Sequence, residues 1–245
     1  MNNLHTSLET LELPSEVTSL DAMAQLDWPR LECLTLVGDS LTQIHTPIIA
    51  VISQMPHLRS LSLQLTILPN MSKQCVWPRG WTTGNVLPPI EELTVAHPHP
   101  NDLLYTHLPH SVRRLSLCCS PCYALQLWLP YEYRRWQSPL PTAAELLRIL
   151  SGSQLSHLTH LSMEYGPDDR EEQFLQHLYV AFPQLSSIEL HRMIVPKLRW
   201  PQDVLAVSDL LCSCHSDVLT SSRKCFSRSR FLTNYHVYLA CARFA

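Results

Sequence analysis

The pattern L-x-x-L-x-L, with Ile, Val or Met allowed for Leu, returns seven times along the chain. It appears at Leu8-Leu11-Leu13, Leu31-Leu34-Leu36, Leu58-Leu61-Leu63 and Ile90-Leu93-Val95, then at Val112-Leu115-Leu117, Leu158-Leu161-Met163 and Leu185-Ile188-Leu190. Within each unit the last apolar residues alternate with polar ones, so a strand built from them has one apolar and one polar face. Successive units start 23, 27, 32, 22, 46 and 27 residues apart. A unit this short cannot bury its own apolar face. Units must therefore stack, each covering the next.

A second regularity runs with the first. An apolar residue and a proline precede several strands, as in Trp28-Pro29-Arg30-Leu31, Met55-Pro56-His57-Leu58, Leu87-Pro88-Pro89-Ile90, Leu108-Pro109 and Phe182-Pro183-Gln184-Leu185. Proline stops a helix and holds the residue before it extended, so each marks a helix ending and a strand about to begin. Between strands the chain reads as helix. Thr46-Pro47 leads into Ile48, Ile49, Val51 and Ile52 as N-cap and first helical residue. Pro141-Thr142-Ala143-Ala144-Glu145 is a capping box before Leu146, Leu147, Ile149 and Leu150. Asp168 or Asp169 is placed to cap a helix carrying Phe174, Leu175 and Leu178. These features predict an α/β leucine-rich-repeat solenoid of about seven irregular repeats, with a parallel β-sheet on the concave face and helices on the convex face.

The solenoid is expected over residues 1–195. Residues 66–87 and 119–141, both rich in proline and aromatics, read as loop insertions. The 46-residue spacing marks either a degenerate unit or an insertion. Residues 196–245, dense in Ser, Cys and Arg, read as an atypical tail or a diverged cap.

Composition narrows the function. Hydrophobic residues are 45% of the chain and charged residues 16%, which favours a packed fold over disorder. Five glycines and the absence of G-x-x-x-x-G-K-[ST] and G-x-G-x-x-G argue against phosphate loops. A formal charge of −3 gives no reason to expect nucleic-acid binding. The longest apolar stretch, from Pro47 to Ile52, is too short for a membrane span. With no signal-peptide pattern at the start, the expected location is cytoplasmic and/or nuclear, and the nine cysteines are expected as thiols.

The L-x-x-L-x-L strands, the W-P-R-L and F-P-Q-L sequences and the opening S-L-E-T-L-E-L-P-S-E resemble the repeat region of fungal, basidiomycete-type F-box proteins. The resemblance covers about residues 7–195. It implies substrate recognition within a cullin-RING ubiquitin ligase, a protein target on the repeat surface, and a Skp1-type adaptor held by an upstream F-box. Leu13, Pro14, Glu16 and Val17 match only the start of an F-box, and the chain then runs into the next repeat. Those residues are read here as the end of one repeat and the turn into its helix. The alternative is a stand-alone scaffold or inhibitor-type repeat protein without a ubiquitin link.

Residues alternating with the leucines are expected on the concave face. Ser and Thr fill most middle positions, where they stack well in a sheet. Glu92, Arg114, His160, Glu164, Glu189 and His191 are the candidate partner contacts. A second candidate surface is the insertion with Tyr123, Trp128, Tyr131, Tyr133, Arg135 and Trp136, the residue types enriched at interface hot spots. Its other reading is packing over the sheet edge. Cys118, Cys119 and Cys122 lie about 90 residues from Cys212, Cys214 and His215, so distant units would have to meet to hold zinc; no metal or cofactor is expected. No nucleophile elbow or H-E-x-x-H occurs, and no catalytic residue is assigned.

Overall fold

A computed structural model describes residues 4–41, 46–68, 70–81, 86–119 and 139–193. Each of the seven apolar patterns forms a strand: β1 Thr10–Pro14, β2 Cys33–Asp39, β3 Ser60–Thr66, β4 Glu92–Val95, β5 Arg114–Leu117, β6 His160–Tyr165 and β7 Ser187–Arg192. They make one parallel sheet in sequence order, β1 to β7. β5 pairs directly with β6 across the 46-residue spacing, so no strand of this sheet lies between them; most of the expected insertion 119–141 lies outside the described residues.

Register explains why the leucines recur at fixed offsets. Leu11, Leu34, Leu61, Leu93, Leu115, Leu161 and Ile188 are successive Cα partners across the sheet. The interior members of this row are buried, while Leu8, Leu11, Leu13, Leu185 and Ile188 in the two end units are only partly so.

The backbone is equally regular where each strand begins. The Glu9 carbonyl accepts from the N–H groups of both Glu32 and Cys33. The Glu32, Arg59, Glu91, Arg113 and Thr159 carbonyls each do the same with the two corresponding residues of the next unit. Just ahead lies a tight turn. The carbonyls of Trp28, Met55, Leu155 and Phe182 accept from Leu31, Leu58, Leu158 and Leu185, three residues on. In three of these, proline holds the second turn position, where its fixed φ fits. The prolines therefore shape the turn itself, and the apolar residue before each is buried as its anchor.

The connections cover one face of the sheet and differ in form. They include α1 (Leu20–Ala24), α2 (Ile48–Ile52), α3 (Ala143–Ser151) and α4 (Glu171–Ala181), with 3-10 turns at Ser15–Val17 and Leu103–His107. The capping box of α3 is complete, with Thr142 Oγ1 accepting from Glu145 N–H and the Glu145 carboxylate accepting from Thr142 N–H. Two expected caps are corrected. Pro47, not Thr46, is the N-cap of α2, and it offers no side-chain bond; the Thr46 hydroxyl instead donates to Asp21. Asp168 accepts from Arg170 N–H but also from Ala144 N–H, so it serves the first turn of the neighbouring α3. Burial alone would raise the Asp168 carboxyl; the Ala144 and Arg170 N–H groups and the Thr142 hydroxyl outweigh it and leave the group below its ordinary value.

Residues 66–87 also differ from expectation. Thr66 still belongs to β3, and Val76, Trp77 and Leu87 join the core. Asp102, itself buried, accepts from the N–H groups of Val76, Trp77 and Leu104, at 2.6, 2.9 and 3.0 Å. The Val76 carbonyl accepts from Ile49 and that of Trp77 from Leu103. Burial raises the Asp102 carboxyl, and the three N–H donors hold that rise back. This segment packs where other units have a helix.

At the C-terminal ends of the first strands, hydrogen bonds run from unit to unit. Ser15 Oγ donates to the Asp39 carbonyl, Asp39 N–H donates to Glu16 Oε1, and Thr66 Oγ1 donates to Asp39 Oδ1. Pro14-Ser15-Glu16-Val17, read above as a turn, is that turn, and Ser15 and Glu16 hold the end of β2. The Glu16 carboxylate comes so close to Gly38 that a Cβ there would lie 2.5 Å from it, and Gly38 has φ +129°. Gly38→Ala is expected to destabilise by roughly 1–3 kcal/mol. The Gly38→Ala/Glu16→Ala pair should recover only the part due to the clash, read by thermal or urea unfolding. In the same assays Leu61→Ala, at a position 1% exposed, is expected to cost about 2–5 kcal/mol, and Leu11→Ala, partly exposed in the first unit, distinctly less.

Candidate functional site

The face of the sheet opposite the connections carries two registered rows of side chains. One runs Thr10, Cys33, Ser60, Glu92, Arg114, His160, Ser187, each the Cα partner of the next. Beside it, Glu12, Thr35, Ser62 and Thr94 continue to Ser116, Ser162 and Glu189. The alternation that buries the leucines leaves these residues exposed or half-buried. The Ser and Thr positions are mostly half-buried, and the exposed charges gather from β4 to β7.

Five of the six expected contact residues lie in this region. Glu92 and Arg114 face each other on β4 and β5, with Arg114 Nη1 3.1 Å from Glu92 Oε1. His160, exposed, shares a 2.8 Å hydrogen bond between its Nδ1 and Thr159 Oγ1. Glu189 accepts from Ser162 Oγ at 3.2 Å and lies 2.9 Å from His191 Nε2. The structure thus brings together the Glu92–Arg114 ion pair and the Glu189–His191 hydrogen bond on either side of an exposed imidazole. The Glu92–Arg114 pair has side chains 50% and 60% exposed, so it contributes little to stability. It sets the local charge pattern.

Glu164 is the exception and is corrected. It has the parity of the exposed row but is 4% exposed. Its carboxylate accepts from Cys119 N–H at 3.1 Å, across a separation of 45 residues. Alternation in β6 breaks there, since Met163, Glu164 and Tyr165 are all buried. The chain leaving β5 runs beside the end of β6 and takes up the carboxylate. Glu164 is therefore withdrawn from the contact surface. Cys118 Sγ lies 3.4 Å from Ser162 Oγ in the same corner, and burial raises both the Cys118 and Cys119 thiols. Both stay protonated near neutral pH, which makes them poor nucleophiles.

The aromatic group Tyr123, Trp128, Tyr131, Tyr133, Arg135 and Trp136 lies outside the described residues, as do Cys122, Cys212, Cys214, His215 and the tail 196–245. Among the described residues no three His, Cys, Asp or Glu converge as a metal-binding group. No helix among them is long and apolar enough to cross a membrane.

Sequence reading missed the column just before the strands. It holds the first variable residue of each pattern, whose carbonyl accepts the paired N–H groups. Glu9, Glu32, Arg59, Glu91 and Arg113 occupy it in the first five units. Arg59 Nη1 and Glu91 Oε1 are 2.6 Å apart, parallel to the Glu92–Arg114 pair. The signal was present as opposite charges at equal offsets in neighbouring units (Arg59 with Glu91, Glu92 with Arg114). The chemistry of this face is donor, acceptor and charge.

No family model matches this chain, and no similar curated protein or solved structure is found.

A stabilising ion pair lies on the opposite side of the same strands. Arg192 grips Glu171 with both ends of its guanidinium, at 2.6 and 3.0 Å, and Tyr165 donates to the same carboxylate at 2.9 Å. This ties α4 to β6 and β7. The Arg192 hydrogen bonds hold the Glu171 carboxyl below its ordinary 4.5. A carboxyl lowered in the folded state stabilises above its unfolded value, and that stability is lost as pH falls through the folded one. Glu171→Gln is expected to cost about 1 kcal/mol at pH 7, the partial exposure of both partners screening the pair. The variant's melting temperature should then converge on that of the wild type as pH drops below about 4.

Proposed function

We propose that the seven parallel strand units are leucine-rich repeats and that the face carrying Glu92, Arg114, His160, Glu189 and His191 is a non-catalytic surface that binds a protein target. The observation that carries the reading is the separation of roles between the faces. Connections and leucine rows occupy one face, and the exposed charges of β4 to β7 stand on the other in strict register. A polar, registered surface of this kind recognises a partner by matching charge and hydrogen bonds, which gives specificity.

The resemblance to fungal F-box repeat regions extends this reading to substrate recognition for a ubiquitin ligase, with a Skp1-type adaptor as second partner through an F-box upstream. The alternative is a stand-alone scaffold or inhibitor-type binding protein with no ubiquitin link, and the two readings share the same target surface.

Quantitative affinity capture with a triple variant tests the reading. Arg114→Glu, His160→Glu and Glu189→Lys together reverse the exposed charge while leaving the buried leucine rows intact. Expected is at least a tenfold loss of specific partners relative to wild type, about 1.4 kcal/mol per tenfold. Glu172→Lys, exposed on α4 away from this face, should capture like wild type. Equal capture by wild type and the triple variant sinks the binding surface. Recovery of specific partners without an adaptor, from cells expressing the full transcript, sinks the ligase extension alone.

A further inference from the structure

We propose that Ser40, Gln74 and His97 line a binding site for a single structural water molecule, where the segment 70–81 meets the ends of the strands. Ser40 directly follows β2, and His97 lies two residues beyond β4. Gln74 comes from the segment that replaces a helix in the third unit. These three line a chamber of about 20 Å³, measured as the space open to a water's centre. Leu63, Leu65, Val95 and other apolar residues complete its walls.

Two properties identify the ligand. Size is the first, because roughly 10–15 Å³ of such space is what one water needs, and the space here is enough for one. The second is unmet hydrogen bonding. Ser40 Oγ and both Gln74 amide atoms, Oε1 and Nε2, are buried without a partner among the described residues. Ser40 as a whole is only 6% exposed. Buried polar groups in folded proteins are nearly always satisfied, by protein or by ordered water. A water there accepts from one group and donates to another, and rotation of the Gln74 amide lets either of its atoms take part. No Asp, Glu, Lys or Arg lines the chamber, so nothing in it would hold a bare cation or anion.

The position gives the water a role. The backbone at His97 is in the left-handed region, φ 50°, which a side-chain-bearing residue adopts only when its surroundings hold it there. Asp102 fixes Val76 and Trp77 in the middle of the segment, and the water fastens Gln74, two residues before Val76, to the sheet.

High-resolution crystallography of the full chain, with oxygen-17 magnetic relaxation dispersion on wild type, Ser40→Ala and Gln74→Leu, tests the site. Expected is one density peak within hydrogen-bonding distance of Ser40 Oγ and the Gln74 amide, and one fewer long-lived water in each variant. Ser40→Ala removes a single oxygen and keeps the test usable if Gln74→Leu does not fold. An empty chamber, a direct bond from Ser40 to Gln74, or the same count of long-lived waters in wild type and variants would overturn the proposal.

Discussion

The whole arrangement hangs on a backbone bond that involves no side chain. In six successive units the carbonyl just before the strand accepts two N–H groups from the unit that follows. This double acceptance fixes the register at the start of every strand. Once that point is set, the alternation of the strand carries the leucines into line without further instruction. It also explains the freedom between units. Spacings from 22 to 46 residues are tolerated because each connection need only leave and return to the same backbone clamp. The residue supplying the carbonyl is free to be Glu, Arg or Thr, and these positions gather charge accordingly.

Strand positions were legible in the sequence because burial there depends on period alone. All seven patterns became strands, in register, since nothing but a one-residue slip competes with that alternation. The capping box at Thr142 and Glu145 was legible for a similar reason, as both of its bonds are local. What escaped was non-local. Asp168 looked like a cap for its own helix, but the neighbouring Ala144 N–H also lies within its reach, and only the fold shows that. Residues 66–87 looked like a loop because they lack helical periodicity. Two N–H bonds, from Val76 and Trp77 to a buried Asp102 of a later unit, make part of that stretch core. Glu164 had the right parity for exposure and was buried by chain from another unit.

The end units show what stacking supplies. Leu34 and Leu61, with a strand on each side, are 1% exposed, while Leu11 and Ile188 at the two ends are only partly covered. Each unit's core is thus completed by its neighbours, as expected of a one-dimensional array, and stability should be greatest in the middle. The long-range side-chain bonds follow the same logic. Ser15, Glu16, Asp39 and Thr66 join the first three units, and Arg192, Glu171 and Tyr165 join the last two. These reinforce contacts between neighbours.

That division bears on recognition. If the exposed charges of β4 to β7 were needed to hold the sheet, changing them in evolution would cost the fold. Their pairs are solvent-screened and contribute little, while the clamp, the leucine rows and the buried Asp102 contribute much. The polar face is therefore free to vary in charge at nearly constant stability. A scaffold with that property can be retuned by exchanging surface residues alone, which is the physical reason to place the proposed binding on this face and not among the connections.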